Sequence, residues 1–88
     1  MSWVCRFSES AKRELSKLDR QGQKDIVAYL ETRIGTGEDP RRFGKPLKTD
    51  LAGLWRYRVR EYRILCHIKD EVLLVLVVSV GHGKDIYD

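Results

Sequence analysis

Three arginines alternate with apolar residues between positions 55 and 60. Arg56, Arg58 and Arg60 occupy the even positions, and the odd positions hold two aromatic residues and a valine. Because successive side chains of a β-strand point to opposite faces of the sheet, the pattern predicts a strand with guanidinium groups on one face and a core-facing row on the other. Like charges in a row repel one another, so the arginine face indicates an anionic partner. Phosphate is the anion that a guanidinium fork fits best.

Three further residues could take part in the same chemistry. Arg63 follows on the next predicted strand and would lie beside Arg56 and Arg58 in a tight hairpin, although a salt bridge or an exposed edge position is the alternative. His82 and Tyr87 follow the last predicted strand, where a loop can hold side chains over a sheet. Each could equally be a packing residue. Together with the arginines they provide an imidazole, a phenol and fixed positive charge, a set able to cleave a phosphodiester bond without a metal.

Other kinds of catalytic site find little support in the sequence. Cys5 and Cys66 have neither metal-ligand spacing nor a disulfide framework, and each lies in phase with apolar neighbours. We therefore expect buried free thiols in a reducing cytosol. The chain has two histidines and contains no glycine-rich phosphate loop and no Ser-His-Asp order. It is expected to bind neither a metal nor a cofactor.

The positive charge is concentrated in the second half of the chain. The formal net charge is +4, whereas positions 41–63 alone carry eight basic and two acidic residues, a net charge of +6. This asymmetry indicates a nucleic acid or an acidic protein partner, with a solvated basic surface as the simpler alternative. The candidate RNA-binding residues outside the catalytic set are Arg41, Arg42, Lys45, Lys48, Arg60 and Lys84.

The 88 residues predict one domain that spans positions 1–88. The apolar run at 72–80 is too short to cross a membrane, and the N-terminus does not resemble a secretory signal. We therefore expect no membrane contact and a cytoplasmic location.

Apolar periodicity predicts a strand followed by two helices in the first half of the chain. Residues 3–7 alternate as in a strand, and Ser8 can cap a helix with Ala11, Leu15 and Leu18 on one stripe. Gly22 is expected to break the helical pattern before the second helix begins. The predicted buried residues of that helix are Ile26, Val27, Leu30 and Ile34.

A long loop at 38–53 then leads to three predicted strands at about 54–60, 62–69 and 72–80. The last of these is apolar on both faces, as expected of a central strand covered on each side. The predicted order is therefore β-α-α-β-β-β. The fold class is α+β, with a mostly antiparallel sheet packed against an N-terminal helical hairpin.

Six short motifs, taken together, carry a family resemblance. In order and spacing the set resembles the RelE-type toxins of bacterial and archaeal toxin–antitoxin modules, within the RelE/ParE superfamily. Each motif is weak alone, but together they cover essentially the whole chain. The motifs are Phe7-Ser8-Glu9-Ser10-Ala11, Leu15-Ser16-Lys17-Leu18, Lys45-Pro46-Leu47, Leu54-Trp55-Arg56-Tyr57-Arg58-Val59, Glu61-Tyr62-Arg63-Ile64-Leu65 and Val80-Gly81-His82-Gly83-Lys84-Asp85-Ile86-Tyr87.

The resemblance implies a fold like that of microbial ribonucleases and ribosome-dependent cleavage of mRNA in the A site. In such enzymes the 2′-hydroxyl of the RNA attacks the adjacent phosphate, which leaves a 2′,3′-cyclic phosphate and a 5′-hydroxyl. The resemblance also implies a cognate antitoxin as inhibitor, with promoter DNA contacted only through the antitoxin complex.

The same resemblance suggests roles for five residues. Arg56 and Arg58 match paired basic residues at the scissile region, and Arg63 matches the arginine that stabilises charge on the phosphorane. Tyr87 matches a tyrosine that orients the substrate base, and His82 matches a turn in which basic residues are common. Because arginine does not readily give up a proton, Tyr87 and His82 are the candidates for the general base.

One position departs from the family pattern and keeps other functions open. Many family members carry an arginine, proposed to assist the leaving 5′-oxygen, where this chain has Gly83. We therefore expect attenuated catalysis, which Gly83→Arg should raise. A ParE-like inhibitor of DNA gyrase is the alternative from another class. The set of Arg56, Arg58, Arg63 and Tyr87 argues against it. A decayed toxin that only binds the antitoxin or the ribosome is a third.

Overall fold

A five-stranded mixed sheet carries two N-terminal helices on one face, as shown by a computed structural model that describes residues 2–83. The strands lie in the order β1-β5-β4-β3-β2. Among the described strand pairs, β1 runs parallel to β5 and the other pairs are antiparallel. The strand bounds are β1 Val4–Phe7, β2 Lys45–Pro46, β3 Trp55–Val59, β4 Tyr62–Lys69 and β5 Leu74–His82. The predicted α+β class is confirmed, with the two-residue strand β2 added to the predicted order.

The two helices begin at side-chain caps. Helix α1 (Glu9–Ser16) is capped by Ser8, whose Oγ accepts a hydrogen bond from the backbone N–H of Ala11 at 3.1 Å. Helix α2 (Arg20–Tyr29) is capped in the same way by Asp19 and continues into a π-helical turn, Leu30–Ile34. The predicted cap at Ser8 is confirmed. The predicted break at Gly22 is wrong, because this glycine lies in the first turn of α2.

The core lies between the helices and the facing side of the sheet. The odd-numbered residues Tyr57 and Val59 of β3 point into it, as predicted, and Cys66 is fully buried there with a free thiol. Cys5 is also a free thiol, and burial raises its pKa to about 11. The other main contributors to this core are Ala11, Ile26, Leu30, Ile34, Ile64, Val75, Val77 and Val80.

Two expectations about apolar residues are wrong. Val27 is 37% exposed rather than buried, because it lies one residue past Ile26 and falls outside the helical stripe that faces the sheet. Strand β5 is not covered equally on both faces: Val75 is buried, whereas Leu76 on the opposite face is only half-buried. The strand also begins at Leu74 rather than Val72, since residues 70–72 form a 3₁₀ turn.

Gly22 lies where α2 packs closely against Tyr62 of β4. A Cβ atom at this position would lie 2.6 Å from the phenolic oxygen of Tyr62 and 2.6 Å from a carboxylate oxygen of Asp19. Tyr62 donates a 2.9 Å hydrogen bond to Asp19, so the crowded atoms belong to a contact that joins the helix cap to the sheet. The missing side chain of Gly22 therefore permits this contact.

We expect Gly22→Ala to lower the free energy of unfolding by about 1–3 kcal/mol, because crowding outweighs the better helix propensity of alanine. Thermal unfolding followed by circular dichroism should show a fall in Tm of about 4–8 °C for each kcal/mol lost. Lys24→Ala, at an exposed position of the same helix, should leave Tm close to that of the wild type. Equal Tm values for Gly22→Ala and the wild type would contradict the prediction.

Candidate functional site

The pairing of strands β3, β4 and β5 brings basic residues together on the face of the sheet opposite the helices. Arg58 lies directly opposite Arg63, and Arg63 lies opposite Gly81. The next row along the sheet contains Lys45 and Arg56. Because directly paired residues point to the same face, the structure brings Arg56, Arg58 and Arg63 onto one surface.

A cavity of about 370 Å³ opens beside the Arg58–Arg63 pair. The cavity walls combine two guanidinium groups, one imidazole, one carboxylate and a glycine backbone. Its lining residues are Arg58, Glu61, Arg63, His82 and Gly83. Arg56 shares the face of the sheet but not the lining of this cavity. The arrangement offers an anion a site with two positive groups and a titratable ring.

Gly83 lies directly against the guanidinium group of Arg63. The backbone N–H of Gly83 donates a 2.8 Å hydrogen bond to the carbonyl of Glu61, which extends the β4–β5 pairing past His82. A Cβ atom at Gly83 would lie 2.8 Å from the guanidinium carbon of Arg63. Any side chain at this position must therefore displace the Arg63 guanidinium, although the flexible arginine can move without disrupting the fold.

His82 is held at the end of β5 by contacts on two sides. Its Nδ1 lies 3.4 Å from a carboxylate oxygen of Glu61, and its ring centroid lies 4.9 Å from that of Tyr62. The hydrogen bond from Tyr62 to Asp19, together with burial, raises the pKa of the Tyr62 phenol and keeps it a donor. The imidazole thus sits against a ring that is anchored to the cap of α2.

The end of β5 is also held by a side chain of α1, a contact that was not predicted from the sequence. Strand β1 stops at Phe7, opposite Val77, so the last residues of β5 lack a strand on that side. Glu14 of α1 takes its place, since its carboxylate accepts hydrogen bonds from the backbone N–H of Val80 at 2.9 Å and from Ser79 Oγ at 3.1 Å. No local sequence signal marks this contact, which joins residues 66 positions apart.

Arg60 does not continue the arginine row. Strand β3 ends at Val59, and Arg60 begins the turn to β4 with a left-handed φ of 56°. Its guanidinium lies 2.6 Å from a carboxylate oxygen of Asp25 on α2 and lowers the pKa of that carboxyl through the hydrogen bond. The alternating pattern fails here because the tight hairpin needs a residue with positive φ.

Arg41 and Arg42 are also paired within the chain. Arg41 donates to Asp70, at 3.1 Å for one of its two hydrogen bonds, and to Asp39 at 3.3 Å. Arg42 lies 2.8 Å from Glu38. All three carboxylates lie outside positions 41–63, so the charge summed over that segment overstates the positive charge that a partner would meet.

The remaining residues predicted for the site lie at the edge of the sheet, just before the turn that follows it, or near the C-terminus of the chain. Lys45 lies opposite Arg56 on the edge strand β2, and Lys48 precedes a short 3₁₀ turn at Thr49–Leu51. Lys84 and Tyr87 lie outside the described residues.

Glu61 was not predicted as a site residue, although its place in the two-residue loop before Arg63 could have indicated it.

The described residues 2–83 contain neither a cluster suited to a metal ion nor a helix suited to a membrane span. No group of three or more His, Cys, Asp or Glu side chains in this range is arranged to hold a metal ion. Within the same range, neither helix has the length and apolar character that a membrane span requires.

Comparison with known proteins identifies the family. Residues 5–87 match the family described as the ParE toxin of the type II toxin–antitoxin system, parDE. The chain is 38% identical to Toxin RelG of Mycobacterium tuberculosis over 88 residues, which is 99% of this chain and 98% of that protein.

Solved structures agree with this assignment. The crystal structure of the toxin–antitoxin complex RelBE2 from M. tuberculosis contains a similar chain, with a TM-score of 0.85, 33% identity, and coverage of 92% of this chain and 91% of that one. The isolated E. coli RelE toxin gives a TM-score of 0.61 at 26% identity, over 91% of this chain and 83% of that one. The predicted family is therefore confirmed: the chain is a toxin of a type II toxin–antitoxin system and belongs to the RelE/ParE superfamily.

Proposed function

We propose that this toxin is a metal-independent endoribonuclease that cleaves mRNA in the ribosomal A site. The observation that carries the proposal is the pairing of Arg58 with Arg63 next to an open cavity that His82 also lines from the end of β5. A phosphodiester that gains a second negative charge in the transition state is stabilised by fixed guanidinium groups. Two such groups side by side on a rigid sheet supply this stabilisation without a metal.

The residues then have distinct roles in transfer of the phosphoryl group. The 2′-oxygen attacks phosphorus and the bond to the 5′-oxygen breaks, which gives a 2′,3′-cyclic phosphate and a 5′-hydroxyl. Arg58 and Arg63 neutralise the phosphorane, and Arg56 and Lys45 in the adjacent row hold the flanking backbone. His82 is the candidate for proton transfer in the cavity. The resemblance assigns base orientation to Tyr87.

We also infer the partners of this toxin from the same surface. A cognate antitoxin would cover the arginine face with an acidic or amphipathic segment, and promoter DNA would be bound through the antitoxin complex. The structural relative RelBE2 is itself a toxin–antitoxin complex, which supports this inference. Action on the ribosome places the toxin in the cytoplasm.

We expect cuts within the A-site codon when the chain is added to ribosomes programmed with a defined mRNA. Primer extension locates the cuts, and the 3′ ends should be cyclic phosphates that accept no ligation until they are opened and dephosphorylated. The same mRNA without ribosomes is the control and should remain intact if cleavage depends on the ribosome.

Inhibition of DNA gyrase is the second candidate, because the matching family model describes ParE toxins. A supercoiling assay run with the same preparation separates the two functions. Loss of supercoiling together with intact mRNA, from both this chain and Gly83→Arg, would refute the nuclease proposal. Ribosome binding without cuts or gyrase inhibition would instead indicate a decayed toxin.

A further inference from the structure

Glu61 and His82 meet at one wall of the candidate site. Tyr62 at the start of β4 is paired with His82 near the end of β5, so the residue that precedes Tyr62 lies next to the imidazole. The distance between His82 Nδ1 and Glu61 Oε2 is 3.4 Å. Both side chains line the cavity that also contains Arg58 and Arg63.

The orientation of the imidazole is set by more than this one contact. Tyr62 packs against it with the ring planes tilted by 45°, and Tyr62 is itself held by its hydrogen bond to Asp19. The backbone N–H of Gly83 donates a hydrogen bond to the carbonyl of Glu61, which holds the residue after His82 next to Glu61. Among the contacts that the structure describes in residues 2–83, the one between a ring nitrogen of His82 and a carboxylate joins Nδ1 to Glu61.

We propose that Glu61 is a positioning residue that accepts a hydrogen bond from Nδ1–H of His82 and thereby presents Nε2 to the RNA as the proton acceptor. The inference rests on the proposed function and deepens it by assigning the general base. A hydrogen bond at one ring nitrogen of a histidine decides which tautomer the other nitrogen presents. A neutral ring with its proton on Nδ1 has its lone pair on Nε2.

The proton movements balance in this scheme. As the 2′-oxygen forms its bond to phosphorus, its proton moves to Nε2 of His82. The bond between phosphorus and the 5′-oxygen breaks, and the 5′-oxygen takes a proton from water. The imidazolium then returns its proton to the hydroxide that remains, so His82 is restored.

The charges around His82 show why a carboxylate is needed. Arg58 on β3 and Arg63 on β4 repel a positively charged imidazole, whereas Glu61 attracts it. Tyr62 contributes an uncharged ring, and the carboxylate of Glu14 on α1 is engaged by Ser79 and Val80. Among residues 2–83, Glu61 is therefore the carboxylate in contact with the ring, and its charge opposes the repulsion from the two guanidinium groups while the ring carries the transferred proton.

The test combines a spectrum of the free protein with cleavage kinetics. Long-range ¹H–¹⁵N spectra of the full chain at alkaline pH show which ring nitrogen of His82 carries the proton. We expect the Nδ1–H tautomer in the wild type and a shift towards Nε2–H in Glu61→Ala. Glu71→Gln, in the exposed turn at the opposite end of β4, is the matched control and should give the wild-type spectrum.

Cleavage on programmed ribosomes should change in parallel. Glu61→Ala is expected to lower kcat by roughly tenfold with little change in KM, and His82→Gln by about 10²-fold. His82→Gln should also flatten the acid side of the pH–rate profile, which a merely structural role would not do.

The outcomes separate this inference from the proposed function. A wild-type toxin that cleaves, with the same tautomer or the same kcat in Glu61→Ala, would overturn the role of Glu61 and leave the nuclease intact. A wild-type toxin that does not cleave would refute the proposed function and the assignment of His82 as base. The tautomer change would still support the Glu61–His82 contact in that case.

Discussion

Arg63→Ala is expected to reduce mRNA cleavage on programmed ribosomes by about 10²–10³-fold, because it removes a preorganised positive group from the developing phosphorane. Arg63 lies between Arg58 and Gly81 in one row of the sheet and lines the cavity, so its guanidinium is held beside the site where the phosphate would bind. Single-turnover cleavage, with products mapped by primer extension, measures the effect.

A second arginine variant, remote from the cavity, distinguishes the loss of a catalytic group from a general loss of positive charge on the protein. Arg13 lies on the exposed side of α1, so Arg13→Ala removes the same charge from the chain without touching the cavity. Arg13→Ala should cleave like the wild type, and both variants should bind ribosomes in a pelleting assay. Undiminished cleavage by Arg63→Ala would refute the proposed role of this arginine and the site with it.

Gly83→Ala is expected to lower cleavage by up to about 10²-fold without loss of the folded state, since a small displacement of a catalytic group can cost that much. The added Cβ would lie 2.8 Å from the guanidinium carbon of Arg63 and would push this group out of its place. The displaced atoms end a flexible side chain, so Tm should change little. The measurement pairs cleavage rates with thermal unfolding.

Gly83→Arg then tests the attenuation predicted from the family pattern, with Gly83→Ala as its proper reference. Both variants displace Arg63, so the difference between them reports what the added guanidinium contributes. If attenuation is correct, Gly83→Arg cleaves faster than Gly83→Ala and faster than the wild type. If Gly83→Arg is no faster than the wild type, the attenuation hypothesis is wrong. Wild-type activity in Gly83→Ala would instead contradict the packing argument at Arg63.

The placement of side chains was predicted correctly wherever one segment of the chain decides it. The alternation at positions 55–59 separates Tyr57 and Val59 in the core from Arg56 and Arg58 on the opposite face, because the side-chain period is a property of the strand backbone. The cap at Ser8 depends on atoms only three residues apart. The catalytic and RNA-binding roles of these residues stay predictions.

The sequence did not indicate ion pairs whose two partners are distant along the chain. Arg60 pairs with Asp25 across 35 positions, and Arg41 pairs with Asp70 across 29. A count of charges along the chain cannot include such partners. Val27 was misplaced for a related reason, since the width of the buried stripe on a helix depends on how closely the sheet approaches it.

The sequence by itself determined the family, the order of the elements and the face of the sheet on which the arginines of β3 lie. Only the tertiary structure decided which residues meet around the cavity, and the β-bulge between Leu65 and Cys66 is the physical reason. On the side of the bulge away from Arg63, Cys66 pairs with Val77. If this register continued unbroken along the two strands, Val80 would lie opposite Arg63. The extra residue in β5 shifts the pairing by one, so Gly81 lies opposite Arg63 and His82 lies opposite Tyr62. That shift brings the imidazole of His82 beside Glu61.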